Sequence, residues 1–195
     1  MTGMDEEKIV WQGRFVTAKV KGKWEYVSRA RGIRAAVILA VDTDDHVILV
    51  EQYRVPLGKV CIELPAGLIG DGEDAGEAAE LAGARELEEE TGYAAERMET
   101  IGEFYSSPGM VTESFTLLRA HGLTKVGPGG GTPGEDITVH RVPLTGLEGF
   151  IAQRRAMGDA IDVKILMLLG PGILGCKQAP PPPGDPGTPP VASRG

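Results

Sequence analysis

The chain has 195 residues, 42% of them hydrophobic, and a formal net charge of −8 at pH 7. That length suits a single domain with its own core, and the acidic balance argues against a general nucleic-acid or membrane-surface binder, because such proteins meet phosphate with basic patches. The only cysteines, Cys61 and Cys176, lie in an apolar run and in a Gly/Pro-rich stretch, which argues against a structural disulfide. The acidic start lacks the pattern of a secretory leader and no run approaches about 18 apolar residues, so we expect a cytoplasmic protein.

The start of the chain predicts a small antiparallel sheet. Strand-like runs at Ile9 to Trp11, Phe15 to Val20 and Trp24 to Ser28 are separated by a Gly-Arg break and by a Lys-Gly-Lys turn. We therefore treat residues 1–30 as an N-terminal segment, distinct from the domain that follows.

Apolar, β-branched runs then predict further strands. Gly32 to Val41 and Val47 to Tyr53 flank an Asp-rich turn, which predicts a β-hairpin, and Cys61 to Pro65 predicts another short strand. Further along, the pattern predicts three more strands and then two helices, at Glu99–Tyr105, Ser114–His121, Asp136–Val142, Thr145–Met157 and Ile161–Leu169. Residues 31–169 are therefore predicted to form one mixed α/β sandwich.

Two stretches rich in glycine and proline complete the organisation. Lys125–Gly134 contains five glycines and two prolines with little apolar content, which predicts a mobile surface loop next to a site. Residues 170–195 are rich in proline and show no hydrophobic pattern, so we expect a disordered tail.

A helix predicted from about Asp74 to Glu90 carries the most informative pattern, an acidic run that Gly92 brings to an end. Helical neighbours lie three and four residues apart, so Glu86, Glu89 and Glu90 should share one face while the leucine between them turns toward the core. Such a cluster repels itself unless cations occupy it, and Mg²⁺ prefers carboxylate oxygens and bridges to substrate phosphates. A plain solvated helix face is the alternative that any acidic run allows.

The segment from Gly67 to Tyr93 resembles the Nudix box, the signature of the Nudix hydrolase family: Gly, five residues, Glu, seven residues, then Arg-Glu-aliphatic-x-Glu-Glu-x-Gly-aliphatic. Its second half fits, except that tyrosine takes the last aliphatic position. Its first half carries four extra residues, because eleven rather than seven separate Glu73 from Arg85. Either Glu73, which keeps the first gap, or Glu77, which keeps the second, fills the early glutamate position.

Further motifs, which extend the resemblance over roughly Ile9 to Leu169, are similar to the ADP-ribose pyrophosphatase branch of that family. They are Val50-Glu51-Gln52-Tyr53-Arg54, Glu63-Leu64-Pro65-Ala66-Gly67, Ser107-Pro108-Gly109 and Glu135-Asp136-Ile137. The resemblance implies the Nudix α/β/α sandwich with a small, swapped N-terminal antiparallel sheet, and a homodimer. It also implies hydrolysis of a nucleoside diphosphate sugar, with ADP-ribose giving AMP and ribose 5-phosphate.

The resemblance also implies the residues of the site. The carbonyl of Ala66 joins Glu86, Glu89 and Glu90 as ligands of Mg²⁺ or Mn²⁺, which polarise the diphosphate and activate a water molecule. Arg54 is expected to bind the diphosphate, and the rings of Phe15 and Trp24 are expected to stack on the base. Arg29 is expected to contact a phosphate or the base. A surface salt bridge for the first arginine, and packing of the rings in the sheet or a dimer interface, are the competing interpretations.

The general base stays open between two carboxylates on loops, Glu113 after Ser-Pro-Gly and Glu135 after the glycine-rich stretch. Well-known members of the branch carry a catalytic glutamate at the position that is Pro133 here. We expect Arg85 to orient its neighbouring glutamates by ion pairs rather than to touch substrate.

Two other functions compete with this interpretation. A UDP-sugar or GDP-mannose pyrophosphatase would keep the acidic cluster and Arg54 but change the contacts to the base. A Nudix module that senses ADP-ribose without turnover usually has a damaged box and a DNA-binding domain, whereas the late half of the box is intact here.

Overall fold

The structure, a computed structural model, describes residues 6–30, 34–70 and 77–169. Three predictions concern residues outside these ranges, namely the role of Glu73, the helix start at about Asp74 and the disordered tail at 170–195. The chain divides after Asp162 into two units. The described part of the second unit is a 3-10 helix at Val163–Leu169, where the sequence predicts helical structure.

The N-terminal sheet contains the predicted strands, which are β1 (Lys8–Gln12), β2 (Val16–Lys21) and β3 (Trp24–Arg29). They are antiparallel in the order β1-β2-β3, and Gly22, with a φ of 58°, lies in the tight turn between β2 and β3. A later segment runs along β3, because Val27 donates its amide to the carbonyl of Met110 and accepts from the amide of Thr112, both at 2.9 Å. The sheet is thereby joined to the loop that follows Ser-Pro-Gly.

Two four-stranded sheets, two α-helices and two short 3-10 helices (Val55–Leu57 and Leu144–Gly146) make up the rest of the first unit within the described ranges. In chain order the strands and α-helices are β4 (Arg34–Ala40), β5 (His46–Arg54), β6 (Lys59–Glu63), β7 (Ala66–Ile69), α1 (Ala79–Thr91), β8 (Tyr93–Tyr105), β9 (Ser114–Lys125), β10 (Thr138–Pro143), α2 (Leu147–Ala156) and β11 (Ala160–Ile161). One sheet has the order β7-β4-β9-β8 and the other β10-β5-β6-β11. Because α1 packs mainly on the first sheet and α2 on β10 and β11, the predicted α/β/α sandwich with a small N-terminal sheet is confirmed.

The predicted hairpin between β4 and β5 is wrong. The turn itself is present, because one carboxylate oxygen of Asp42 accepts hydrogen bonds from the amides of Asp44 and His46, at 2.9 and 3.0 Å. Beyond an isolated bridge of Val41 with Val47, however, β4 pairs with β7 and β9, while β5 pairs with β6 and β10. Both strands are interior strands with continuous buried runs, so each needs neighbours on both edges and cover on both faces. The chain therefore crosses from one sheet to the other at this turn.

The contact of α1 with the sheets positions the acidic helix. Leu87 is fully buried and packs with Ile38 and Ile48, as its place between the glutamates predicts. Gly83 lies within the helix at a close approach to β9, because an added Cβ atom would lie 2.3 Å from the Cδ1 atom of Leu118. The helix axis is therefore fixed close to the sheet.

The ends of α1 differ in how well the sequence predicts them. The helix begins at Ala79, after Glu77 and Ala78, which the prediction placed inside it. It ends as predicted, because Gly92 adopts a left-handed φ of 69° and donates its amide to the carbonyl of Glu88 at 2.8 Å. None of the helices in the described residues is long and apolar enough to cross a membrane.

Candidate active site

The end of α1 and the start of β7 border a cavity of about 390 Å³. Its lining includes six of the predicted site residues, namely Arg29, Arg54, Ala66, Glu86, Glu90 and Glu135. These residues come from separate stretches of the sequence, and the fold brings them to one place. The other four predicted residues lie outside this lining: Phe15, Trp24, Glu89 and Glu113.

Glu90 is a buried carboxylate at this cavity, with 7% of its surface exposed. Its Oε2 atom accepts a hydrogen bond of 3.1 Å from the amide of Ala66, which ties the helix to the first residue of β7. Burial, together with the nearby charges of Glu86 and Glu135, raises the pKa of Glu90 to about 8 despite that hydrogen bond. Ionisation of Glu90 therefore becomes favourable at neutral pH when positive charge is brought next to it.

Glu86 lies one turn before Glu90 and packs against Gly67 of β7. An added Cβ atom at Gly67 would lie 1.9 Å from the Cδ atom of Glu86, so this strand position has to be glycine for the carboxylate to keep its place. Arg85 donates from Nη1 to Oε1 of Glu86 at 2.9 Å, which is the kind of contact expected for an orienting residue. Its Nη2 atom also lies 3.8 Å from Oε2 of Glu77, one of the two candidates for the early glutamate of the box.

Glu89 does not line the cavity that Glu86 and Glu90 border. Its side chain is 41% exposed, compared with 14% for Glu86, and its carboxylate lies 3.5 Å from Nη1 of Arg85. Successive helical residues are rotated by about 100°, which turns Glu89 by about 100° from Glu90. Among the residues that the structure describes, no three Asp, Glu, His or Cys side chains converge closely enough to hold a metal ion. Of the three predicted glutamate ligands, Glu86 and Glu90 line the cavity, and the role of Glu89 as a ligand stays a prediction.

Arg54, the last residue of β5, forms a two-point ion pair with Glu63, the last residue of β6. Its Nε donates to Oε1 at 2.6 Å and its Nη2 donates to Oε2 at 3.1 Å. The side chain of Glu63 is 10% exposed and that of Arg54 is 39% exposed, so this is more than a surface salt bridge, and the pairing raises the pKa of Arg54 above its ordinary value. Glu63 was assigned no role from the sequence. A carboxylate at the end of an apolar run could have indicated one.

Arg29, the last residue of β3, is held by Glu113. Its Nε and Nη2 atoms lie 2.7 and 2.5 Å from the same carboxylate oxygen. Glu113 follows the loop segment that pairs along β3, so the N-terminal sheet and this loop together bring Arg29 to the cavity. Of the two candidate bases, Glu113 is therefore the partner of an arginine, and Glu135 is the one that lines the cavity.

Glu135 reaches the cavity from the glycine-rich stretch. Its Oε2 atom accepts a hydrogen bond of 2.7 Å from the amide of Thr132, and its backbone carbonyl accepts one of 3.3 Å from Nε2 of Gln52. Gln52 also lines the cavity and received no role from the sequence. The stretch, for which the sequence predicts mobility, is hydrogen-bonded to the end of α1 through the amides of Gly130 and Gly131.

The two aromatic residues predicted to stack on a base are exposed on the N-terminal sheet. Phe15 is 64% exposed and lies under the guanidinium of Arg14, whose Cζ atom is 5.0 Å from the ring centroid. Trp24 is 59% exposed and lines a separate depression with Pro108 and Val111. Within one chain, the two rings therefore do not border the cavity of Glu86 and Glu90.

The donor set of the cavity fits a hard divalent cation. Two carboxylates one helical turn apart and the backbone of Ala66 border the same space, and oxygen is the ligand that Mg²⁺ and Mn²⁺ prefer. The raised pKa of Glu90 reflects both the repulsion from Glu86 and the cost of ionising a buried group. A bound cation would offset both effects. These residues are therefore suited to hold the ion that the Nudix box implies.

The fold and the cavity together define the class of protein. It is an α/β/α sandwich in which the acidic end of a helix and two arginines line one cavity. Residues 31–157 match the NUDIX domain. The chain therefore belongs to the Nudix family and is a Nudix hydrolase.

Curated relatives carry several names. The chain is 40% identical over 111 residues to the methanol dehydrogenase activator of Bacillus methanolicus, over 57% of each chain. It is 40% identical over 90 residues to an ADP-ribose pyrophosphatase of Bacillus subtilis (46% of each chain), and 34% identical over 159 residues to a GDP-mannose pyrophosphatase of Cronobacter sakazakii (77% of each chain). The chain thus spans only about half the length of the first two relatives.

A solved structure shares the fold. The crystal structure of an ADP compounds hydrolase aligns with a TM-score of 0.67 and 23% identity, over 89% of this chain and 95% of that one.

Proposed function

We propose that this Nudix hydrolase cleaves the diphosphate bond of a nucleoside diphosphate sugar, with ADP-ribose as the leading substrate and AMP and ribose 5-phosphate as products. The observation that carries the proposal is the one cavity at which Arg29 and Arg54 meet the carboxylates of Glu86 and Glu90. Guanidinium groups bind phosphate oxygens in pairs, and carboxylates bind the divalent ions that accompany a diphosphate. The similarity to an ADP-ribose pyrophosphatase supports this substrate class.

In the proposed reaction, Arg29 and Arg54 bind and orient the diphosphate. Glu113 and Glu63 hold these arginines by ion pairs, so the remaining N–H groups are presented in fixed directions. Mg²⁺ or Mn²⁺, when bound, neutralises phosphate charge and lowers the pKa of a water molecule. The proposed ligands are Ala66, Glu86, Glu90 and, after its side chain turns from Arg85, Glu89.

We assign the general base to Glu135 rather than to Glu113. Glu135 lines the cavity, whereas the carboxylate of Glu113 is engaged by two donor atoms of Arg29, Nε and Nη2. Glu135 accepts a proton from the attacking water molecule while the oxygen of that water bonds to one phosphorus. The bond from that phosphorus to the bridging oxygen then breaks. The two products are monophosphates.

A GDP-mannose or UDP-sugar substrate is the second candidate. The relative from Cronobacter sakazakii is a GDP-mannose pyrophosphatase and matches this chain over 77% of its length. The charged groups of the cavity recognise the diphosphate, which is common to all these compounds, so they do not discriminate between bases. A sensor without turnover is disfavoured, because the cavity combines carboxylates for a cation with a carboxylate suited to act as base.

We further propose that the protein works as a cytoplasmic homodimer that uses its N-terminal sheet as the contact surface. Ile9, Val10 and Trp11 are consecutive residues with between 58% and 63% of their surfaces exposed, and exposed apolar patches of this kind mark protein interfaces. A second copy would bring Phe15 and Trp24 toward the base of the substrate. Sedimentation at micromolar concentration tests this point, since a monomer would contradict it.

A substrate panel tests the proposed activity. ADP-ribose, ADP-glucose, UDP-glucose, GDP-mannose, NADH and 8-oxo-dGTP are incubated with the protein and Mg²⁺, and the products are identified by chromatography. The proposal predicts AMP and ribose 5-phosphate from ADP-ribose at the highest kcat/KM. A higher kcat/KM for GDP-mannose would favour the second candidate, and tight ADP-ribose binding without any turnover would favour the sensor.

A further inference from the structure

The end of α1 is bound to the glycine-rich stretch through the carbonyl groups of its last three residues. The last carbonyls of a helix lack partners inside it and must find them elsewhere. Here the carbonyl of Glu89 accepts from the amide of Gly131 at 3.0 Å, and that of Glu90 accepts from the amide of Gly130 at 2.8 Å. The carbonyl of Thr91 accepts from Nζ of Lys125 at 2.7 Å. The backbones of two glutamates in the box are thus tied directly to this stretch.

Gly129, Gly130 and Gly131, which we name the glycine bracket, have backbone conformations that disfavour side chains, and the surroundings of Gly129 and Gly131 also leave no room for a Cβ atom. Their φ angles are 72°, 113° and 76°, in the left-handed region that favours glycine. An added Cβ atom at Gly129 would lie 2.4 Å from the carbonyl carbon of Thr91, and one at Gly131 would lie 2.5 Å from Oε2 of Glu135. The bracket therefore allows the backbone to pass between the helix end and the carboxylate of Glu135.

The bracket continues into the loop that carries Glu135. The amide of Ile137 donates to the carbonyl of Gly130 at 3.2 Å, and the amide of Glu135 donates to the carbonyl of Thr132 at 3.1 Å. The amide of Thr132, the residue next to Gly131, donates to Oε2 of Glu135 at 2.7 Å. Two hydrogen bonds and the short backbone segment from Gly130 to Thr132 thus connect the backbone of Glu90 with the side chain of Glu135.

Lys125 links the end of α1 to the segment that precedes the glycine bracket. Its Nζ atom donates to the carbonyl of Thr91 and, at 3.3 Å, to that of Pro128, and it lies 4.6 Å from the centroid of the Tyr93 ring. One ammonium group thereby joins the last residue of α1 to the segment that leads into the bracket, and the positive charge also suits a helix C-terminus.

We propose that Gly131 and Lys125 are positioning residues for the hydrolysis, which fix the carboxylate of Glu135 relative to the end of α1 and so to Glu90. The inference rests on the proposed function, in which Glu135 is the base. Neither residue touches substrate, and both act through Glu135. A base displaced by about 1 Å loses on the order of 10- to 100-fold in rate, so the effect falls on kcat more than on KM.

The kinetic test compares Gly131→Ala with Gly127→Ala, each made in the wild type and in a Glu135→Gln background. Gly127 controls for the added methyl group, because nothing lies within 4 Å of an added Cβ atom there, and the Glu135→Gln background controls for the backbone strain at the left-handed Gly131. With ADP-ribose and Mg²⁺, Gly131→Ala should lower kcat about 10-fold or more with little change in KM, and Gly127→Ala should stay within about twofold. In the Glu135→Gln background, Gly131→Ala should cost less than about twofold, because the group that it positions is gone. Equal losses in both backgrounds would overturn the inference.

Lys125→Met keeps the glycine backbone undisturbed and covers the event that Gly131→Ala fails to fold. Lys125→Met should lower kcat by several-fold in the wild type, whereas Lys125→Arg should keep a kcat close to the wild-type value. In the Glu135→Gln background, neither substitution should change kcat. A drop in melting temperature without a drop in kcat would overturn the positioning role.

Hydrogen exchange separates this inference from the proposed function. Protected amides at Gly130 and Gly131, with protection reduced by Lys125→Met, support the bracket whether or not ADP-ribose is hydrolysed. Unprotected amides at both positions overturn it. A wild-type protein that turns over no member of the substrate panel contradicts the proposed function instead.

Discussion

Replacing Glu90 by glutamine should stabilise the metal-free protein at high pH while it abolishes turnover. Burial raises the pKa of Glu90 to about 8 in the folded protein, whereas its ordinary value is 4.5. Between these values the folded protein retains a proton that the unfolded chain has released, so the free energy of unfolding falls as pH rises from 4.5 toward 8. At 1.36 kcal/mol for each pH unit, the full effect amounts to at most about 5 kcal/mol.

Glutamine removes the charge and keeps an oxygen that accepts the hydrogen bond from the amide of Ala66. Without metal, Glu90→Gln and wild type should have similar stability near pH 4.5, and the variant should be more stable by several kcal/mol at pH 9. Urea unfolding in a chelator, followed by circular dichroism from pH 4.5 to pH 9, measures the difference. Glu88→Gln, at an exposed position of the same helix, controls for net charge. Parallel stability profiles for wild type and Glu90→Gln would refute the electrostatic account.

Three further substitutions test individual contacts. Gly67→Ala should displace the carboxylate of Glu86 and lower both Mn²⁺ affinity and kcat by about 10-fold or more, and unchanged Mn²⁺ binding by calorimetry would contradict the close packing. Glu63→Gln should free Arg54 and raise KM for ADP-ribose about 10-fold with a smaller change in kcat, so steady-state kinetics with an unaltered KM would argue against an orienting ion pair. Trp24→Ala should raise KM for ADP-ribose by about 5- to 50-fold if its ring stacks on the base, whereas a change only in the dimer dissociation constant would assign it to the interface.

Local signals predicted the acidic helix well. The spacing of the glutamates around Leu87, and a glycine at position 92, are features of a few neighbouring residues, so the buried face and the end of α1 follow from the sequence. The hairpin prediction was wrong because a continuous apolar run indicates that a strand is buried but does not indicate which strand it pairs with. That choice depends on β6, β7, β9 and β10, which are distant in sequence.

Side-chain partners across the site were less predictable. Helical spacing grouped Glu89 with Glu86 and Glu90, but Glu89 does not line the cavity, and its carboxylate lies beside Nη1 of Arg85, which also pairs with Glu86. The pairing of Glu113 with Arg29 joins residues 84 positions apart, so no local pattern could reveal it. The roles of these residues as ligand, base or substrate contact remain predictions.

The central claim is that the diphosphate is cut at the cavity bordered by Glu86 and Glu90. The most direct measurement is kcat/KM for ADP-ribose with Mg²⁺, with products identified, for wild type, Glu90→Gln and the control Glu88→Gln. The account predicts AMP and ribose 5-phosphate from wild type, a loss of about 100-fold or more in Glu90→Gln, and a rate within about twofold of wild type in Glu88→Gln. A Glu90→Gln protein that hydrolyses ADP-ribose as fast as wild type would contradict it.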